Sequence, residues 1–321
     1  MLKFIKVAAI VLLILLAVIL IAGFVAGNYF YTLALARGSD KTAITKPTDN
    51  AIDIPNPNAE SNKAWFDSVG RTDAYMESRD GLKLHAYFIL NTAGSNNWVV
   101  IAHGYGGSGA TMNATARSFY EMGFNVLLPD ARGHGESEGD YIGMGWPDRL
   151  DIVDWLNRLV AEQGDIEIVL YGVSMGGATV MMVSGEELPP NVKVIVEDCG
   201  YTSVRDEFAY QLKSIWGLPG FPILNFADAV TRMRAGYSFF DASAVAQVEK
   251  SVTPMLFIHG SEDTFVPTYM LDIVYDAANV EKEKLLVAGA SHGTSYLVGG
   301  ELYWDTIKEF TGRFLNAPPW E

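Results

Sequence analysis

The sequence predicts an α/β fold, a mostly parallel sheet with helices on both faces, and two observations carry that expectation. Short apolar runs at residues 82–90, 98–102, 126–129, 166–171, 192–196, 255–259 and 285–287 alternate with stretches long enough for helices, which is the pattern of repeated βαβ units. The runs are continuous and apolar, as in Trp98-Val-Val-Ile-Ala102, and this suits strands covered on both faces. With 321 residues, 49% of them hydrophobic, the chain can bury one large core, and no internal repeat or low-complexity tract divides it.

The elements follow in order. Met1-Leu-Lys3-Phe-Ile-Lys6 precedes an uncharged run from Val7 to Gly27, close to the roughly 20 residues that a bilayer-spanning helix requires. Residues 1–31 are therefore expected to form a membrane anchor. Lys3 and Lys6 favour a cytoplasmic N-terminus and an extracytoplasmic domain beyond it. Ala34-Leu-Ala36 also has the small-x-small form of a cleavage site, so secretion after signal cleavage is the alternative. Residues 32–65, with Pro47, Pro55 and Pro57 and no periodicity, read as a flexible tether. A domain at 66–321 follows. Its alternation breaks at about 204–247, where Trp216-Gly-Leu-Pro-Gly-Phe-Pro and neighbouring aromatic residues suggest a small cap over the strand ends.

Charge and cysteine content exclude some functions. The formal net charge is −15, from 38 acidic and 23 basic residues, without a local basic patch, so nucleic acid is not an expected partner. A single cysteine, Cys199, allows neither an intramolecular disulfide nor a cysteine-based metal cluster, and it is expected to be a small buried residue at a strand end.

The most informative stretch is Ile168-Val-Leu-Tyr-Gly172-Val-Ser174-Met-Gly176-Gly177: a strand, a Gly-x-Ser-x-Gly turn and small residues at helical spacing. In such a turn the serine is exposed on strained backbone, and a Cβ at Gly172 or Gly176 would collide with the adjoining strand or helix. A serine hydroxyl is a weak nucleophile, so it needs a base and a group that orients the base. Of the five histidines, His85 lies within a strand run, His103 and His259 end strands, and His134 sits in Asp130-Ala-Arg-Gly-His-Gly135. His292 stands in a polar loop after the last strand and is the favoured base. The orienting acid is expected after the preceding strand, in His259-Gly-Ser-Glu-Asp263, with Asp263 preferred to a solvent-facing Glu262. Asp130, Arg132 and His134 are read as a hydrogen-bonded turn near the site.

From about Ala74 to Leu315 the chain resembles the α/β-hydrolase family, most closely its bacterial serine esterase and dipeptidyl-aminopeptidase-like branch. The resemblance lies in His103-Gly-Tyr-Gly-Gly-Ser-Gly109, Asp130-Ala-Arg-Gly-His-Gly135, Gly172-Val-Ser-Met-Gly176, Glu197-Asp-Cys-Gly-Tyr-Thr-Ser203, His259-Gly-Ser-Glu-Asp263 and Ser291-His-Gly293, in that order. It implies an eight-stranded sheet, Ser174 as nucleophile, Asp263 as acid, His292 as base, and an oxyanion hole from the backbone N–H groups of Tyr105 and Met175. It implies hydrolysis of an ester or amide with no metal or organic cofactor, and leaves open whether the acyl donor is a lipid, a small ester or a peptide. Tyr105 stands where the three-glycine lipase form has glycine, so its side chain is expected to narrow the pocket and to disfavour bulky esters.

Two rival readings are open to a test. Gly104-Tyr-Gly106-Gly-Ser-Gly109 matches a dinucleotide-binding G-x-G-x-x-G turn, with Asp130 as the ribose-binding acid, but that leaves Ser174, Asp263 and His292 without a role. The other is a tethered binding module whose triad is inactive.

Overall fold

The computed structural model describes residues 2–45 and 55–320. The strands are β1 (Arg71–Glu77), β2 (Lys83–Ile89), β3 (Asn97–Ala102), β4 (Asn125–Pro129), β5 (Glu167–Val173), β6 (Val192–Asp198), β7 (Met255–Gly260) and β8 (Lys282–Val287). The helices are α1 (Leu2–Ala34), α2 (Thr42–Thr45), α3 (Ala59–Ser68), α4 (Asn113–Glu121), α5 (Asp148–Gln163) and α6 (Met175–Val183), then α7 (Val204–Trp216), α8 (Ile223–Ala235), α9 (Ala244–Val248), α10 (Tyr269–Ala277) and α11 (Ser295–Gly312).

Among the described residues the sheet has the order β1-β2-β4-β3-β5-β6-β7-β8, with β2 antiparallel to both neighbours and β3 to β8 parallel. This is the mostly parallel sheet that the apolar runs predict. Each run feeds two cores because side chains alternate across a strand. Trp98, Val100 and Leu170 pack on one face with Trp155 of α5 and Met181 of α6. Val99, Ile101 and Tyr171 pack on the other with Phe119 of α4 and Phe310 of α11. β1 was absent from the predicted runs. It is an edge strand paired only with β2, and its Arg71, Asp73 and Glu77 face solvent or lie partly exposed, the composition that keeps a free edge from pairing further.

The N-terminal third departs from the anchor-and-tether expectation. α1 contains the one stretch among the described residues that is long and apolar enough to cross a membrane, Lys3–Ala34. Its last turns, however, pack on the globular domain. Gly27 permits this, since a Cβ there would be 2.6 Å from the backbone of Phe226 in α8. Ring pairs Phe24–Phe226 and Phe30–Trp216 have centroids 5.7 and 5.6 Å apart. Tyr31 and Leu35 are buried in the main core. Arg37 donates to the carbonyls of Gly135, Ser137 and Gly139, and Lys41 Nζ donates to the carbonyls of Leu33 at the end of α1 and Ala36 just beyond it, at 3.0 and 2.9 Å. α3 packs on α4 through Trp65 and Tyr120. A flexible tether at 32–65 is therefore corrected for residues 32–45 and 55–65, while 46–54 lie outside the described residues. The polar composition suggested a linker, but a few apolar side chains and a donor-rich Arg37 find partners on the domain.

Candidate active site

β5 ends at Val173 and α6 begins at Met175, leaving Ser174 as the turn residue with φ 56° and ψ −119°. A non-glycine residue held at positive φ is strained backbone that the surrounding packing must enforce. The flanking glycines allow it. A Cβ on Gly172 would stand 2.1 Å from the Gly176 carbonyl oxygen, and one on Gly176 would stand 2.0 Å from that of Ala102 in β3. The collisions are with the helix in the first case and the neighbouring strand in the second, as the motif predicts. Met175 supplies the first amide of α6, a group that intrahelical bonding leaves free and that the helix dipole makes electropositive.

The loop after β8 brings His292 to the serine. His292 Nε2 lies 2.7 Å from Ser174 Oγ and Nδ1 lies 2.7 Å from Asp263 Oδ2. The β7 and β8 loops can approach this closely because residue 260 is glycine: a Cβ there would be 2.3 Å from the Ala290 carbonyl oxygen. Asp263 is 4% exposed, and its Oδ1 accepts the N–H groups of Phe265 and Val266, each at 2.9 Å. Burial alone would raise its pKa, but the charge and hydrogen bonds of His292 and His259 outweigh that and hold it at about 2. Glu262 is exposed and points away from this chain of contacts, its backbone N–H bonded to the Ala290 carbonyl. Of the two carboxylates in this turn, Asp263 is the one placed against His292.

Tyr105 follows Gly104, where a Cβ would be 3.5 Å from Ser174 Cβ, so the β3 loop runs directly past the serine. The Tyr105 hydroxyl donates to the Ala34 carbonyl at the end of α1. Asp130, Arg132 and His134 form the expected turn. Asp130 accepts from Gly109 N–H at 2.7 Å, Glu136 N–H at 2.9 Å and pairs with His85 Nδ1 at 2.8 Å. Arg132 grips Asp151 with two nitrogens at 2.8 and 2.9 Å, and the His134 ring packs on His103. With its oxygens spent internally and 2% exposure, Asp130 cannot serve as a ribose-binding acid, which removes the support for a dinucleotide turn. Cys199 is buried just past β6.

Ser174 opens onto an apolar pocket walled by α1, α7, α8 and the Phe265 loop. Two further buried residues stand close to the site. Glu207 of α7 lines the pocket fully buried, with Gln211 Nε2 donating to Oε1 at 2.8 Å and no partner for Oε2. Burial pushes this carboxyl up to about 8 despite the lowering bond from Gln211. His259, fully buried, reaches Asp263 Oδ2 at 3.2 Å and the Val266 carbonyl at 2.9 Å. Glu207 has no motif of its own, and His259, which opens the His259-Gly-Ser-Glu-Asp263 turn, is brought onto the acid by the fold of that turn. Among the described residues, potential metal ligands converge at Cys199, Asp263 and His292 and at Asp73, His85 and Glu136. The first set shares the atoms that bond Ser174 and one another, and in the second both His85 nitrogens are already paired with Asp130 and Asp73.

A parallel sheet with a strained serine elbow after its fifth strand, and an acid and a histidine after its seventh and eighth, defines the α/β-hydrolase class. The family described as serine aminopeptidase, S33, matches residues 94–216. The chain is 27% identical to protein YqkD of Bacillus subtilis over 293 residues, covering 89% of this chain and 91% of that one. It is 24% identical over 236 residues to a Saccharomyces cerevisiae protein called an uncharacterized membrane protein, covering 73% and 76%. An esterase of Pyrococcus furiosus, Pf2001, superposes with a TM-score of 0.62 at 22% identity, covering 82% of this chain and 98% of that structure. The chain has the α/β-hydrolase fold, and the match over residues 94–216 supports a hydrolase.

Proposed function

We propose that the protein cleaves carboxylic esters through an acyl-enzyme on Ser174. The observation that carries this reading is the unbroken hydrogen-bond chain from Ser174 Oγ through His292 to Asp263, with both links at 2.7 Å. As Ser174 Oγ attacks the carbonyl carbon, His292 Nε2 takes its proton, and Asp263, ionised well below neutral pH, stabilises the imidazolium. The N–H groups of Met175 and Tyr105 receive the oxyanion. His292 then protonates the leaving alcohol, and a water molecule, deprotonated by the same nitrogen, releases the acid and restores Ser174.

A serine aminopeptidase is the second reading, favoured by the description of the matching family. The pocket favours the ester: a peptide's N-terminal ammonium needs an anion, and the pocket's carboxyl, Glu207, stays protonated up to about pH 8. The Pyrococcus furiosus protein of similar fold is an esterase, which supports the same reading. Rates on p-nitrophenyl esters set against aminoacyl anilides test the choice, and faster cleavage of the anilides would reverse it.

We also infer that α1 is retained as a single-pass anchor, with Lys3 and Lys6 cytoplasmic and the catalytic domain outside. Cleavage after Ala36 would strip away Tyr31, Leu35 and one wall of the pocket, which argues against the signal-peptide alternative.

A further inference from the structure

The pocket beside Ser174 is unusual in where its wall comes from. Phe30 and Leu33, near the end of α1, line the cavity together with Leu212, Trp216 and Leu224 of α7 and α8. A membrane-length helix is thereby part of the substrate site. The length of α1 says where the membrane lies. Lys3–Ala34 has 32 residues, and at about 1.5 Å per residue they exceed a hydrocarbon core of about 30 Å by several turns. The apolar residues from Phe4 to Ile21 are exposed. Packing begins at Gly23 and continues to Leu35.

α8 runs in the same direction as α1. Phe226, near its start, meets Gly23 and Gly27, while Arg234, near its end, bonds Asn28 at 2.9 Å and stacks over Tyr31. The start of α8 is therefore the end nearest the bilayer, and so is the loop that leads into it from α7. That loop exposes Leu218 at 37% and Phe221 at 77%. Large apolar side chains exposed beside a spanning helix have their natural solvent in the interfacial region of the membrane.

We propose that the substrate is an ester of a membrane lipid, whose acyl chain leaves the bilayer beside α1 and lies between Phe30, Leu33 and the cap with its carbonyl at Ser174. This rests on the serine-hydrolase reading above and supplies its substrate class. The chain exchanges a hydrocarbon surrounding in the bilayer for one in the pocket, so transfer to the site needs no exposure of the chain to water. Tyr105 does not obstruct the pocket as its position in the sequence suggested, because its hydroxyl is turned to the Ala34 carbonyl and its ring forms part of the wall.

The test uses the full-length protein in phosphatidylcholine vesicles, with p-nitrophenyl acetate, octanoate and dodecanoate and with 1-oleoylglycerol placed in the same membrane. kcat/KM should rise at least about tenfold from acetate to dodecanoate, since the longer ester concentrates in the membrane that feeds the site while acetate must enter from water. Leu224→Trp and, from the opposite wall, Leu33→Trp should each lower the dodecanoate-to-acetate ratio at least about tenfold by filling the pocket. Phe221→Asp should slow cleavage of vesicle-borne 1-oleoylglycerol relative to the same ester dispersed in detergent. Labelling of each protein with a fluorophosphonate reports whether Ser174 is reactive and the variant folded. Flat or falling rates with chain length, or unchanged ratios in labelled variants, overturn the lipid substrate while leaving the serine hydrolase intact. Absence of labelling in the wild-type protein overturns both.

Discussion

His259 Nε2 stands 3.2 Å from Asp263 Oδ2, the same oxygen that His292 Nδ1 reaches at 2.7 Å. The acid is thus held from the side away from the serine, and its other oxygen is fixed by two backbone N–H groups. A carboxylate with every lone pair directed has little freedom to rotate. The orientation it imposes on His292 is correspondingly sharp.

Replacing the acid by its amide should therefore fall on the transition state. Asp263→Asn should lower kcat on any cleaved ester at least about a hundredfold with KM little changed, in line with the roughly 10⁴ loss known for an orienting aspartate. Glu262→Gln, at an exposed site outside the chain of contacts, should stay within about a few-fold of wild type. Steady-state kinetics on p-nitrophenyl esters decides between them, and the reverse ranking would move the acid by one residue.

Much of this site was legible in the sequence, because its chemistry rests on local patterns. Gly172-Val-Ser-Met-Gly176 requires a particular turn wherever it occurs, and His292 and Asp263 each follow a strand whose apolar run marks it. β1 was not legible, since an edge strand carrying Arg71, Asp73 and Glu77 has no apolar run to read. Nor was Glu207, whose place in the pocket wall depends on how α7 packs, nor the contact of His259 with Asp263, which depends on the turn after β7. The binding of residues 35–45 to the domain was hidden for the same reason. Arg37 looks like a linker residue until the carbonyls of Gly135, Ser137 and Gly139 are brought to it.

The serine elbow makes a prediction about stability. Gly172→Ala places a Cβ 2.1 Å from a backbone oxygen that cannot move aside, and should destabilise the protein severely or prevent its accumulation. Gly70→Ala, where a Cβ meets nothing within 4 Å, should be neutral or stabilise by up to about 1 kcal/mol. Thermal unfolding compares the two. Similar melting temperatures for both would mean that β5 and α6 are not packed as described.

A docked α1 differs from a tethered one in its dependence on Leu35, which is 0% exposed. Leu35→Ala should cost about 2–5 kcal/mol, the range for a buried leucine truncated in a well-packed core. On a free tether the same change would cost nothing measurable. Unfolding of the full-length protein in detergent, followed by tryptophan fluorescence, reads the difference.

Two buried glutamates give stability a dependence on pH. Burial raises both Glu207 and Glu197 from 4.5 to about 8. Between those values the unfolded chain has released the proton and the folded protein retains it, so stability falls as pH rises through that window and levels off above it. Glu197→Gln/Glu207→Gln removes both protons from the balance. Its stability relative to wild type should therefore improve steadily from about pH 5 to about pH 8, in urea titrations at each pH. A difference independent of pH would show that these carboxyls ionise normally.

The central claim is that Ser174 is an activated nucleophile, and the most direct measurement is the mass and position of the adduct formed with a fluorophosphonate. The full-length protein should gain one phosphonyl group, mapped to the peptide containing Gly172-Val-Ser174-Met-Gly176. Ser174→Ala should gain none, and His292→Gln should react at least about a hundredfold more slowly, because the base that takes the hydroxyl proton is gone. An adduct on another residue, or labelling that survives Ser174→Ala, would contradict the account.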